Sequence, residues 1–85
     1  MKVRVLYFAW LRERAGRAEE HVTLPDGVGT VGELVGWLRA RDAVGEAAFQ
    51  NAGIVRAAVN QAVATPDTRI APGDEVAFFP PVTGG

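Results

Sequence analysis

The sequence predicts an α+β fold: a mixed sheet of four to five strands packed on one main helix. Three observations carry this. Apolar and polar residues alternate at both ends of the chain, a capped amphipathic stretch sits between them, and strong turn signals separate the segments. At 85 residues, folding would bury about 60 % of the chain's surface, which supports one domain with one core.

Lys2 to Phe8 reads as a strand, with Val3, Val5 and Tyr7 on one face and Lys2, Arg4, Leu6 and Phe8 on the other. Ala9 to Ala15 suits a short helical turn that ends at Gly16. Glu20 to Leu24 is a second strand, stopped by Pro25-Asp26-Gly27. Thr30-Val31-Gly32-Glu33 fits a capping box, in which the Thr30 hydroxyl accepts from the Glu33 amide and the Glu33 carboxylate reaches back to the Thr30 amide. Val31, Leu34, Val35 and Leu38 then mark the apolar face of a helix running to about Arg41, where Arg39 and Arg41 suit the helix dipole. Gly32 and Gly36 each weaken this helix by roughly 1 kcal/mol relative to Ala, a cost consistent with close packing on a sheet.

Asp42 to Gly53 carries weak signals and reads as a loop with one turn around Ala47 to Phe49. Ile54 to Val59 is a third strand, Asn60-Gln61 a turn, Ala62 to Ala64 a very short strand and Ala71-Pro72-Gly73-Asp74 a further turn. Glu75 to Phe79 is the last strand, with Val76 and Phe78 on one face and Ala77 and Phe79 on the other. Pro80-Pro81 cannot continue a ladder. The order is β-β-α-β-(β)-β, compatible with parallel first and last strands lying side by side. That is the β-grasp, or ubiquitin-like, architecture. Residues 1–80 are expected to form its single domain and residues 81–85 a flexible Gly-Gly tail.

Composition removes several function classes. Nine Lys and Arg against ten Asp and Glu leave a net charge of −1, without the basic excess that nucleic-acid binding usually needs. Without cysteine there is no disulfide, thiolate metal site or cysteine nucleophile. The start is no signal peptide and no apolar run approaches the ~20 residues of a membrane span, so the expectation is a cytoplasmic protein. No metal site and no intrinsically bound cofactor are expected.

Several motifs are decoys. Gly27-Val28-Gly29-Thr30-Val31-Gly32 matches G-x-G-x-x-G, and Glu46 lies near the right distance for a ribose contact. A dinucleotide site, however, needs a second parallel strand directly after the helix, and the stretch after Arg41 does not read as one. His21, the sole histidine, sits in a strand without a triad around it. Glu19-Glu20 and Asp74-Glu75 are neighbours in extended chain, so their carboxylates point to opposite faces. Arg12, Arg14 and Arg17 read first as solvated surface and second as a patch for an acidic partner. Trp10 and Trp37 read as packing residues, with Trp10 a candidate for an interface edge.

The last ten residues, Val76 to Gly85, carry no charged side chain. A frayed end accounts for Gly84-Gly85 but not for the Phe78-Phe79-Pro80-Pro81-Val82 before it, whose apolar surface marks a binding segment. The prolines stiffen the exit, so less entropy is lost on capture. The glycines are thin enough to thread a narrow channel.

Phe78-Phe79-Pro80-Pro81-Val82-Thr83-Gly84-Gly85 closely resembles the molybdopterin synthase small (sulfur-carrier) subunit family. Gly73-Asp74-Glu75-Val76-Ala77, Ala57-Ala58-Val59-Asn60-Gln61, Val5-Leu6-Tyr7-Phe8-Ala9 and Leu11-Arg12-Glu13 resemble it too. The resemblance is weak over Asp42 to Gly53. It implies a carrier subunit whose active site is supplied by the large subunit of molybdopterin synthase. A ubiquitin-activator-like adenylating enzyme would use ATP to activate the Gly85 carboxylate, which sulfur from a persulfide would convert to a thiocarboxylate. Gly84, Thr83, Val82, Pro81 and Pro80 would form the tail inserted into the large subunit, in a heterotetramer of two carriers on a large-subunit dimer. The sulfur would go to cyclic pyranopterin monophosphate in molybdenum cofactor biosynthesis. Phe79, Phe8 and Leu6, on one sheet face by alternation, would form the docking patch. The alternatives are a β-grasp carrier for thiamine or tRNA thiolation, a ubiquitin-like modifier of lysines, and a plain interaction module.

Overall fold

The computed structural model describes residues 1–81. In it, β1 (Lys2–Tyr7), α1 (Trp10–Ala15), β2 (Glu19–Thr23), α2 (Val31–Arg41), α3 (Ala43–Ala48), a 3₁₀ turn (Ala52–Ile54), β3 (Arg56–Val59), β4 (Ala62–Ala64) and β5 (Glu75–Phe79) follow in order. The strands form one sheet in the order β2-β1-β5-β3-β4. β1 and β5 are parallel neighbours at its centre, and the other pairs are antiparallel. This is the expected β-grasp arrangement.

The alternation in β1 and β5 sorts the faces as expected. Val3, Val5, Tyr7, Val76 and Phe78 are buried and meet Val31, Leu34 and Leu38 of α2 in one core. Tyr7, Phe49 and Phe78 form its aromatic centre, with Phe49 set edge-on to Phe78 at 4.9 Å between centroids. Such a pair contributes about 0.5–1.5 kcal/mol beyond its buried area. Asn60 and Gln61 both take positive φ (50° and 71°), the geometry of a tight hairpin turn whose twist matches the strands.

The segment after Arg41 departs from expectation. Asp42 caps α3, its Oδ1 accepting from the Gly45 amide at 2.7 Å. α3 then delivers Ala48 and Phe49 to the core, and Ile54 belongs to the 3₁₀ turn rather than to β3. The reason is local. Ala43-Val44-Gly45-Glu46-Ala47-Ala48 is too short and too small-sided to show a helical stripe, yet Asp42 supplies the cap and Glu46 suits the first turn. Gly45 is required by packing: a Cβ there would lie 1.9 Å from the Leu38 carbonyl oxygen. Remaining boundary differences are one residue each at the end of β1, at the start of α1 and at both ends of β2, with Val55 also lying before β3.

The glycines of α2 are also corrected. A Cβ on Gly32 would meet Pro66 of the β4–β5 loop, with its oxygen at 3.2 Å, and nothing lies within 4 Å of one on Gly36. Gly32 therefore admits a loop rather than the sheet. The capping box forms in part. Glu33 N–H donates to Thr30 Oγ1 at 3.1 Å, but the Glu33 carboxylate accepts from the Gly29 amide at 3.0 Å, one residue before the expected donor.

Arg39 and Arg41 do more than face the helix dipole. Arg39 makes two hydrogen bonds to Glu46 of α3. Arg41 grips Glu20 of β2 with both terminal nitrogens, at 2.9 and 3.1 Å. Glu20 also accepts from the Tyr7 hydroxyl at 2.6 Å and from Arg17 at 3.2 Å. One carboxylate thus ties the edge strand, the central strand and the end of α2 together. Among the described residues no helix is long and apolar enough to cross a membrane.

Candidate functional site

The site grows from the sheet face that the helices leave uncovered. Register places Glu19, Leu6, Ala77, Ala58 and Val63 in one row across all five strands. Towards the C-terminal end of β5, Phe79 stands opposite Arg56. Phe8 extends the ladder beside it, its amide donating to the Phe78 carbonyl at 3.0 Å. Phe8 is 49 % exposed and Val63 85 % exposed. Leu6 and Phe79 are half-buried and Ala77 is buried between its neighbours. The structure thus brings Leu6, Phe8 and Phe79 together on one face, as alternation suggests.

Polar groups close the other end of this face. Arg4 lies between His21 and Glu75 in register, and its guanidinium is paired with Glu75 and with Glu19. Asn60 Oδ1 accepts from the Glu75 amide at 3.0 Å, and its Nδ2 donates to Asp74 at 3.0 Å. A cleft of about 360 Å³ beside Leu6 and Phe8 carries Arg4, Arg12 and Glu19 at its rim. An apolar centre with a charged rim is the anatomy of a protein interface. Ala58, Ala77 and Val63 extend the centre beyond the three expected residues. Alternation in β3 and β4 hints at them, but only the strand order shows which neighbours they join.

Phe8 is held by an unusual turn. Ala9 has φ 55° and ψ −133°, a conformation that glycine adopts freely and alanine at a cost of about 1–3 kcal/mol. The Leu11 amide closes this turn on the Phe8 carbonyl at 3.2 Å.

Pro80 and Pro81 leave β5 at the Phe8–Phe79 end, both half-buried. Proline locks φ near −65° and pushes its predecessor to extended backbone, which directs the chain onward from the sheet. Val82, Thr83, Gly84 and Gly85, the remainder of the expected tail, lie outside the described residues.

The decoys resolve in physical terms. The first amides of α2 are all engaged: Val31 with Thr68 O, Gly32 with Pro66 O and Glu33 with Thr30. With Gly29 held by Glu33 and Val28 by the Pro25 carbonyl, most amides of the G-x-G-x-x-G turn are already committed within the chain, which leaves no phosphate cradle of the dinucleotide kind. Glu46 is bound to Arg39. Glu19 and Glu20 do point apart, Glu19 to the outer face and Glu20 to Tyr7. Burial pushes the Glu20 carboxyl up, but the Arg41 and Tyr7 hydrogen bonds and the Arg41 and Arg17 charges outweigh it and hold the group below its usual range. Burial first and Glu20 second push the Tyr7 hydroxyl up, so it stays protonated as a donor. Arg14 lies over Trp10 at 4.5 Å and Arg41 over Trp37 at 5.4 Å, so both tryptophans pack against cations.

An apolar sheet face beside a proline-directed exit is the geometry against which the comparisons with known proteins read. The ThiS family profile matches residues 5–85. The chain belongs to the ThiS family. Within it, the chain is 40 % identical over 83 residues to the molybdopterin synthase sulfur carrier subunit of Escherichia coli, covering 98 % of this chain and 99 % of that one. It is 40 % identical over 91 residues to the protein of that name from Mycobacterium tuberculosis, covering 100 % and 99 %. A solved Pyrococcus furiosus structure, provisionally assigned as molybdopterin converting factor subunit 1, superposes with a TM-score of 0.78 at 33 % identity, covering 96 % of this chain and 99 % of that chain. This ThiS-family chain therefore spans nearly the whole length of these relatives.

Proposed function

We propose that the chain is the sulfur carrier subunit of a molybdopterin synthase. The observation that carries this is 40 % identity over 98 % of the chain to a relative of that name. The apolar outer face at the tail exit supports it, because a carrier must dock before its tail can reach a remote active site. The chemistry follows from the tail. An adenylating enzyme related to ubiquitin activators uses ATP to convert the Gly85 carboxylate to an acyl adenylate, whose AMP is a good leaving group. The outer sulfur of a persulfide displaces AMP to give an acyl disulfide, and a thiol of the donor system then cleaves its S–S bond and is itself oxidised to a disulfide. The thiocarboxylate released is a soft anionic nucleophile stored without any cysteine.

Leu6, Phe8 and Phe79 then dock on the large subunit. Pro80, Pro81, Val82, Thr83 and Gly84 thread to its active site, and the Gly85 sulfur passes to cyclic pyranopterin monophosphate. The large subunit supplies the groups that catalyse the transfer. Two carriers on a large-subunit dimer, acting in the cytoplasm, complete the assembly. The test is a reconstitution with the large subunit and the pterin substrate. Full-length loaded chain forms the dithiolene product, and a chain lacking Gly84-Gly85 docks but forms none. Product from the truncated chain would overturn the reading.

A further inference from the structure

Eight of the nine basic side chains are arginine, and Lys2 is the only lysine in the sequence. Its position is as informative as its rarity. Lys2 opens β1, paired with Thr23, while the tail leaves from the other end of β5. Because β1 and β5 run parallel, Lys2 and the exit lie at opposite ends of the sheet. The six steps along the strand from Lys2 to Phe8 span about 20 Å at ~3.3 Å each. The α-amine of Met1 lies at the far end too, donating to the Leu24 carbonyl at 3.0 Å. The cation beside the exit is Arg56, in register with Phe79, and Arg12 follows Phe8 by one turn of chain. Guanidinium groups stay protonated at all working pH and do not compete as acyl acceptors.

An activated acyl terminus is consumed by any amine within its reach. The six residues Pro80–Gly85 extend about 20 Å at most. To meet Lys2 in the same molecule the tail would have to reverse directly after Phe79 and run fully extended back along the sheet. The prolines oppose that reversal. We propose that the exit end of the molecule is kept free of amines, and that Lys2 is the one side chain acylated by an activated terminus, which must come from a second copy. The ε-amine of one copy attacks the Gly85 carbonyl of the other. A C–N bond forms, the bond to the leaving group breaks with its electron pair, and the ammonium proton passes to solvent.

The biological meaning rests on the proposed activation of Gly85, but the test does not. A full-length chain bearing an alkyl thioester at Gly85, made by intein cleavage, reacts without enzyme or ATP. Amide formation is followed by intact mass and peptide mapping. In the parent chain the expected amide product is a dimer branched at Lys2. Its rate rises with protein concentration, and Lys2→Arg lowers it at least tenfold. Arg56→Lys and Arg12→Lys each bring an amine to the exit, where a short tether gives an effective concentration on the order of 1 mM. At about 10 μM protein, each is expected to form an intramolecular lactam about 100-fold faster than the parent forms dimer. A lactam in the parent chain, a branch elsewhere than Lys2, or folded Arg→Lys variants that form lactam no faster would each overturn the proposal. Failure of ATP-dependent loading, with these thioester results intact, would instead count against the proposed function.

Discussion

Phe8 and Phe78 are joined by one backbone hydrogen bond, yet they face opposite sides of the sheet. Replacing each with alanine separates the core from the proposed docking face. Phe78 is fully buried between Tyr7 and Phe49, so Phe78→Ala removes a ring with nothing to refill its space and costs about 3–5 kcal/mol. In a domain this small, each kcal/mol is worth about 4–8 °C in melting temperature, so the loss is at least about 12 °C. Phe8 is 49 % exposed. Burying a whole phenylalanine is worth about 1.5–3 kcal/mol, so Phe8→Ala costs about 1 kcal/mol of stability. At a docked interface the same ring would be an aromatic anchor, and its loss weakens large-subunit binding at least about tenfold. Thermal melts followed by circular dichroism and calorimetric titration against the large subunit measure the two effects. Phe78→Leu, which keeps the fold, retains the affinity. The reasoning is refuted if Phe8→Ala destabilises as much as Phe78→Ala, or if Phe8→Ala leaves binding unchanged.

Three further outcomes test the packing. Gly45→Ala would gain about 1 kcal/mol from helix propensity, but its Cβ meets the Leu38 carbonyl at a cost of about 3 kcal/mol, so urea denaturation should show a net loss of about 2 kcal/mol. Ala9→Gly relieves a positive φ and should raise stability by about 1 kcal/mol, seen as a higher melting temperature. Glu20→Gln loses charge-assisted bonds and should cost about 2 kcal/mol at pH 7. Because Glu20 titrates below its ordinary 4.5 in the fold, its contribution is full above that pH and fades as pH falls below it. Denaturation curves of the parent and Glu20→Gln chains should therefore converge on acidification.

The elements legible in the sequence are those whose signal is local. Alternation alone sorts Val5 from Leu6 and Phe78 from Phe79, and Thr30 with Glu33 marks the start of α2. The proposed docking face is legible as far as single strands reach. That Ala58 and Val63 continue it depends on pairings between residues distant in the chain. The Tyr7–Glu20–Arg41 network joins three elements, and adjacency of Glu19 and Glu20 gives no hint that one carboxylate holds them together. α3 is hidden because alanines and a glycine leave no apolar stripe. Its trace is the capping aspartate at 42, followed three residues on by the glycine whose amide it accepts. Gly32 and Gly45 look alike as helix-weakening residues, and only the nearby Pro66 and Leu38 backbones explain them.

The central claim is that the chain end, rather than a side chain, carries the sulfur. Intact mass after incubation with the adenylating enzyme, ATP and a persulfide donor tests it most directly. The account predicts a gain equal to one oxygen-to-sulfur exchange, mapped to Gly85 and abolished by removing Gly84-Gly85. An unchanged mass, under conditions that load a known carrier, would contradict it.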